Sequence, residues 1–227
     1  MSDLLDHLLQ YRLVVFDVDG TLYDQRPVRR GMLWHLLLGA LREGSPRTIL
    51  ALRAYRHAKE ELAAQEAFGH EATARRRAAK ASGLSEETVG GLVEEWMRER
   101  PLPLVARARF PGVVELFEGL RRAGRLVAVL SDHPAKAKVD TLGLRPDLVV
   151  AATDAAVDVQ KPHPKGLEWI LGETGCRPGE AVLVGDRVDR DGGAAERAGV
   201  AFLLRGPAAP PGVLHLPSYL SAPEQVA

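Results

Sequence analysis

The stretch Leu13-Val14-Val15-Phe16-Asp17-Val18-Asp19-Gly20-Thr21-Leu22 constrains this chain more than any other. A short run of apolar residues predicts a buried strand, and the run stops on two carboxylates separated by one residue. Side chains alternate along a strand, so Asp17 and Asp19 leave on the same side, and Gly20 permits a sharp turn around whatever they hold. Two carboxylates this close need a cation, a proton or water. The rest of the chain must therefore present a charged strand tip.

Further apolar runs share that character: Arg125 to Ser131, Leu148 to Ala152, Ala181 to Val184 and Val200 to Leu204, with a short Val213 to Leu216 run near the end. Helical patterns lie at residues 3–10, after Pro111-Gly112, at Ala135 to Leu142, at Leu167 to Thr174 and between Asp191 and Gly199. Near-continuous apolar strands alternating with helices predict an α/β fold, a parallel sheet covered by helices on both faces. Such sheets bind ligands beyond the carboxyl ends of their strands. From about Pro27 to Arg100 the texture changes to Leu, Ala, Arg and Glu with few β-branched residues. Helices are expected at Gly31 to Leu41, Arg47 to Ala67, Glu71 to Ala81 and Ser85 to Glu99, the last opened by an imperfect capping box at Ser85 and Thr88. Breaks at Gly44-Ser45-Pro46, Gly69, Ser82-Gly83 and Pro101 to Pro103 separate them. This predicts a core from residues 1–24 and 104–227 and an all-helical insert over 25–103.

Composition narrows the function classes. At 227 residues and 46% hydrophobic, the chain can bury one full core, and 30 basic residues against 30 acidic ones give no net pull toward nucleic acid or an anionic membrane. The single Cys176 provides neither a disulfide nor a zinc site. No apolar stretch approaches a bilayer span, and the first residues, with Asp3 and Asp6, lack a basic start. The expectation is a cytoplasmic protein with no nucleic-acid or membrane partner.

Each polar strand end has an ordinary explanation. Asp-x-Asp-Gly is common in turns, Ser131 suits a helix cap, Lys161 in Gln160-Lys161-Pro162-His163-Pro164 suits a solvated loop, and Asp186 and Asp191 suit a helix start. All of them in one order, beside successive strands, favour convergence on one crevice. At this point the chain resembles the haloacid dehalogenase superfamily, whose motifs stand here as Asp17-Val18-Asp19-Gly20-Thr21, Ser131, Lys161-Pro162 and Gly185-Asp186 through Asp191. The resemblance implies a Rossmann-like core with a helical cap inserted after the first motif. It implies that Asp17 is the nucleophile that forms an aspartyl-phosphate and that Asp19 is the acid/base, with a carboxyl pKa raised by neighbouring negative charge. Lys161 balances charge, Ser131 binds a phosphoryl oxygen, and Thr21 positions the substrate-binding turn. Mg²⁺ is expected on Asp17, Asp186, Asp191 and the backbone carbonyl of Asp19.

Asp19 favours phosphoryl transfer, because relatives resembling dehalogenases lack that carboxylate. The expected activity is hydrolysis of a small phosphorylated metabolite. A sugar phosphomutase and a catalytically inert binding protein on the same fold are the alternatives. Many relatives carry asparagine after the second-motif hydroxyl, whereas this chain has Asp132 and His133. Asp132 is placed in the substrate-binding set, and the two residues are expected to cap the helix after Pro134, to pair with each other, or to meet substrate. Gln25, Arg26, Arg29 and Arg30 enter the cap where an anionic substrate would lie, with at least two of the arginines expected in solvent. Arg75-Arg76-Arg77 with Lys80 reads as a solvated face. Trp34, Trp96 and Trp169 read as packing residues, and His35, His57 and His70 show no ligand spacing together.

Overall fold

The computed structural model describes residues 2–43, 46–220 and 224–225. The chain opens with α1 (Ser2–Leu8) and turns into β1 (Leu13–Phe16). Then come α2 (Gln25–Glu43), α3 (Arg47–Ala64), α4 (His70–Ser82), α5 (Glu86–Val93), a π-helical stretch over Glu94–Glu99 and α6 (Leu102–Ala108). From there helices and strands alternate: α7 (Val113–Arg122), β2 (Leu126–Ser131), α8 (Lys136–Thr141), β3 (Leu148–Ala151), α9 (Lys165–Thr174) and β4 (Ala181–Gly185). A π-helical turn over Val188–Gly192 leads to α10 (Gly193–Ala198), β5 (Ala201–Arg205), β6 (Leu214–Leu216) and β7 (Glu224–Gln225).

The sheet runs in the order β3-β2-β1-β4-β5-β6-β7, and every neighbouring pair is parallel except β6 and β7. β1 is central because all four of its residues are buried and both its edges are paired, Val14 lying opposite Val127 on one side and Val182 on the other. Alternation sorts its side chains between two cores. Val14 and Phe16 join Val127, Val129, Val182 and Val184 against Leu4 and Leu8 of α1 and Leu116, Phe117 and Leu120 of α7. Leu13 and Val15 join Ala128, Leu130 and Leu183 against Leu167 and Ile170 of α9 and Ala195 of α10. Each such fully buried Leu, Ile, Val or Phe contributes about 1.5–3 kcal/mol relative to exposure, which fixes the register of the strand that carries it.

One local expectation changes and another is refined. Pro101 to Pro103 separates the π-helical stretch ending at Glu99 from α6, and it also starts α6, with Pro101 just before the helix and Pro103 in its first turn, where no N–H is needed. Of the three tryptophans, Trp96 is buried, but Trp34 and Trp169 are 67% and 42% exposed. Their helices carry them on the outer face. The Ser85 cap is present, its hydroxyl accepting from the Thr88 N–H at 3.0 Å, and the Gly44-Ser45 half of the preceding break lies outside the described residues.

The helical insert is fastened to the sheet side by a seam of polar contacts. Glu60 pairs with Arg190 at 2.5 Å and Glu66 with Arg197 at 2.6 Å. The Gly69 N–H donates to Asp158 Oδ2 at 2.9 Å, and His70 Nε2 lies 2.9 Å from the Ala152 carbonyl. No described helix is long and apolar enough to cross a membrane.

Candidate active site

The carboxyl end of β1 is where the charges gather. The Asp17 N–H still donates to the Val184 carbonyl at 2.9 Å, so Asp17 is held by the strand ladder although it lies one residue beyond β1. Past it the chain coils, with the Leu22 N–H returning to the Val18 carbonyl at 3.0 Å. Gly20 sits at φ +98°, and a Cβ there would stand 2.0 Å from Asp186 Oδ2. Glycine is therefore required twice, for its backbone and for room. Gly185 at the end of β4 gives the same room to Asp191, whose Cβ and Cγ lie 2.4 Å from where a side chain would begin.

Lys161, only 3% exposed, ties the site together. Its Nζ donates to Asp17 Oδ1 at 2.7 Å, to Asp191 Oδ1 at 2.5 Å and to the Leu130 carbonyl at 3.4 Å. Burial works against its charge, but Asp17, Asp191 and Asp132 outweigh burial and hold the ammonium pKa well above its ordinary value. Thr21 Oγ1 donates to Asp17 Oδ2 at 2.9 Å, so both oxygens of Asp17 are oriented. Each keeps lone-pair capacity.

Asp17, Asp186 and Asp191 each offer an oxygen, and these oxygens lie within 4.8 Å of one another. Burial pushes the Asp17 carboxyl up; Lys161 opposes this and Asp191 adds to it, leaving it at about 6. Burial, then Asp17 and Asp191, push Asp186 up to about 7. A buried all-oxygen set with more negative charge than Lys161 neutralises fits a hard divalent cation such as Mg²⁺.

Asp19 differs from its expectation. Burial would raise its pKa, but the Lys138 ammonium, His133 and the hydrogen bonds from Lys138 and Tyr23 overcome that and hold the carboxyl far below the usual range. Lys138 Nζ lies 2.5 Å from Asp19 Oδ1, and the Tyr23 hydroxyl donates to the same oxygen. The carboxylate of Asp19, expected among the metal ligands, is thus bonded to Lys138 and Tyr23 and is not one of the three clustered carboxylates.

The second-motif expectation also changes. Ser131, buried, accepts from the His133 N–H at 3.2 Å. Asp132 neither caps the following helix nor pairs with His133: its Oδ1 accepts from the Lys161 N–H at 2.9 Å, and its Oδ2 stands 3.8 Å from Arg190. It braces the Lys161 loop, whose Lys161–Pro162 peptide is cis. Burial pushes the His133 imidazole down to about 3, so it faces the site uncharged.

Four supporting residues were not singled out from the sequence. Lys138 and Tyr23 hold Asp19. Arg190, buried, donates to the Lys161 carbonyl at 3.1 Å while pairing with Glu60 of the insert. Tyr219 donates to the Thr21 carbonyl at 2.8 Å, pinning the coil after β1. A signal for Lys138 exists: Ala135, Val139 and Leu142 form a buried helical stripe, and Lys138 falls on it. A lysine on an apolar face needs a buried partner.

Above Asp19 opens a cavity of about 450 Å³ walled by the insert. Arg26, Arg29 and Arg30 are all exposed to solvent, and of the residues expected at its entrance only Gln25 and Arg29 also line it. Arg76, Arg77 and Lys80 are likewise exposed on α4, Arg77 pairing with Glu61 at 3.1 Å.

Residues 11–199 match the family model described as haloacid dehalogenase-like hydrolase. A phosphoglycolate phosphatase of Xylella fastidiosa is 28% identical over 197 residues, 85% of this chain and 79% of that protein. A glyceraldehyde 3-phosphate phosphatase of Methanopyrus kandleri is 35% identical over 94 residues, 40% of each chain. Among solved structures, a 2-haloacid dehalogenase of Pseudomonas syringae superposes with a TM-score of 0.66 at 22% identity, covering 92% of this chain and 95% of that one. That likeness establishes a shared fold.

Proposed function

The chain belongs to the haloacid dehalogenase-like hydrolase family, and we propose that within it this protein is a Mg²⁺-dependent phosphomonoester hydrolase of small phosphorylated metabolites. The observation that carries the reading is Lys161 bonded to both Asp17 and Asp191 beside a cluster of three carboxylates. The phosphatases among its relatives point the same way.

In this reading Asp17 is the nucleophile. Thr21 and Lys161 fix the plane of its carboxylate, so one oxygen meets phosphorus in line, the P–O bond to the alcohol breaks, and an aspartyl-phosphate forms that water then cleaves. Ser131 and Lys161 bind phosphoryl oxygens. Asp17, Asp186, Asp191 and the Asp19 carbonyl would hold Mg²⁺, which would supply neutralisation of charge on the phosphoryl group. Asp19, ionised at rest, is ready as the base for water. As an acid it needs a proton, and a phosphoryl dianion beside it works against Lys138 to raise its pKa. The placement of core (1–24 and 104–227) and cap (25–103) belongs to the same proposal, with α6 running across the second junction. So does a cytoplasmic location, in keeping with a single buried cysteine.

The test is release of inorganic phosphate from a panel of phosphate esters with and without Mg²⁺, together with acid-stable trapping of label on Asp17. Stoichiometric phosphate and alcohol support hydrolysis. An isomeric sugar phosphate in place of free phosphate defines a mutase, and no turnover by the metal-loaded protein, with a partner still bound by Asp17→Asn, defines an inert binding protein.

A further inference from the structure

The cavity above Asp19 has two properties that a site for a small polar acid does not need. Its wall is largely apolar, with Met32, Leu36, Leu52, Val93, Trp96 and Met97 contributed by four separate stretches of the insert. Its volume of about 450 Å³ falls in the range of pockets that enclose ring-sized organic ligands, well beyond a two-carbon chain.

The second property is charge. Of the cations on this wall, Lys138 is committed to Asp19, Lys59 to Glu71 at 3.2 Å, and Arg98 to Glu71 and Glu94 at 3.0 and 2.6 Å. Arg29, Arg53 and Arg56 also line it from its solvent-exposed side and make no ion pair with any described residue. Arg53 and Arg56 lie three residues apart on α3, on one face of the helix. The carboxylate that Arg56 senses, Glu60, is held by Arg190 at 2.5 Å. Arg29 and Arg56 line the same cavity, which Glu60 also lines, and the Arg29 charge, after burial, is what lowers the Arg56 pKa, so the two guanidinium groups act on each other across the cavity. An exposed arginine alone needs no partner. Two in like-charge range on the wall of one cavity are relieved by an anionic ligand, and guanidinium favours carboxylate or phosphate.

We propose that this cavity receives the alcohol half of a phosphomonoester that carries both an apolar body, laid against Leu52, Trp96 and Met97, and a second anionic group, held by Arg29 and Arg56. This rests on the hydrolase reading above and names its substrate class: a phosphorylated aryl or alkyl acid. It departs from the two-carbon phosphoglycolate named for the relatives, because that acid would leave the apolar wall uncovered.

The test is calorimetric binding, with Mg²⁺, to the Asp17→Asn protein, in which loss of the nucleophile is expected to stop turnover. Three probes separate the features: phosphoglycolate has the acid and no apolar body, phenyl phosphate has the body and no acid, and 4-carboxyphenyl phosphate has both. The last is expected to bind at least about tenfold more tightly than either of the others. Adding Arg56→Met is expected to bring the ratio of carboxyphenyl to phenyl phosphate affinity close to one, and Arg56→Lys to restore part of it. The ratio cancels any loss of folded protein. Equal or tighter binding of phosphoglycolate overturns the apolar body, a ratio that survives Arg56→Met and Arg29→Met overturns the arginines, and binding of none of the three overturns the whole inference. Wild-type turnover of phenyl phosphate is read separately. Its absence alongside the expected binding order sinks the hydrolase reading and leaves the pocket assignment standing.

Discussion

Two lysines, one at the sheet edge and one in the helical insert, are equally buried and behave in opposite ways. Lys161 and Lys59 are each 3% exposed. Burial opposes both charges, yet the Lys161 pKa is raised and the Lys59 pKa is lowered. The difference lies in their partners. Lys161 has two carboxylates, at 2.7 and 2.5 Å. Lys59 has one, Glu71 at 3.2 Å, which is shared with Tyr55 and Arg98, and a ring nitrogen of His70 at 2.6 Å. Desolvation is common to the two sites; local geometry sets the sign. The sheet edge concentrates charge that needs a ligand, whereas the insert spreads the charge around Lys59 over Glu71, Tyr55, Arg98 and His70.

The largest expected effect lies at the sheet edge. Asp17→Asn should lower phosphate release by about a thousandfold or more, since the nucleophile is lost, with little change in unfolding midpoint. If substantial turnover survives, the covalent reading fails. Next, Lys161→Met should cost about 3–5 kcal/mol in urea unfolding of the metal-free protein, because it strips the cation from Asp17 and Asp191.

The third prediction concerns protons. The folded pKa values of Asp17 and Asp186, about 6 and about 7, lie above the 3.8 of a free aspartate. Their contribution to stability is therefore complete below about pH 4 and is lost as pH rises toward 7. Without metal, these two groups should make the protein less stable across that window, by several kcal/mol in order of magnitude. A divalent cation competes with those protons, so the increase in melting temperature given by Mg²⁺ should grow from pH 5 to pH 8. A constant increase would show that the ion binds elsewhere.

The smallest expected effect tests the insert. Lys59→Met should change stability by less than about 1 kcal/mol, because Glu71 keeps Arg98 and Tyr55 and the cost of burying the Lys59 charge disappears. A loss as large as that of Lys161→Met would break the contrast between the two regions.

Most of the sheet was legible because burial on both faces leaves strands as unbroken apolar runs, and each run found in the sequence became a strand at nearly the same residues. The site was legible in part. Asp17, Lys161, Asp186 and Asp191 are drawn together because each sits just past a strand or in the loop beside one, and parallel strands carry their ends to one edge. The state of Asp19 was not legible. Motif spacing placed the carboxylate but not Lys138, 119 residues away in sequence. Asp132 failed in the same way: its partners come from the Lys161 loop and from Arg190 rather than from its own helix.

By itself, then, the sequence determined the alternation of strands and helices, the helical insert, and which side chains stand at strand ends, because these follow from local periodicity and from the order of segments along the chain. The tertiary structure alone decided which cation meets which carboxylate, which insert residues wall the cavity over Asp19, and that Arg29 and Arg56 line it without an ion pair to any described residue. Those outcomes depend on how helix faces from distant segments pack, and electrostatic energy between buried groups changes steeply over the few ångströms that packing fixes.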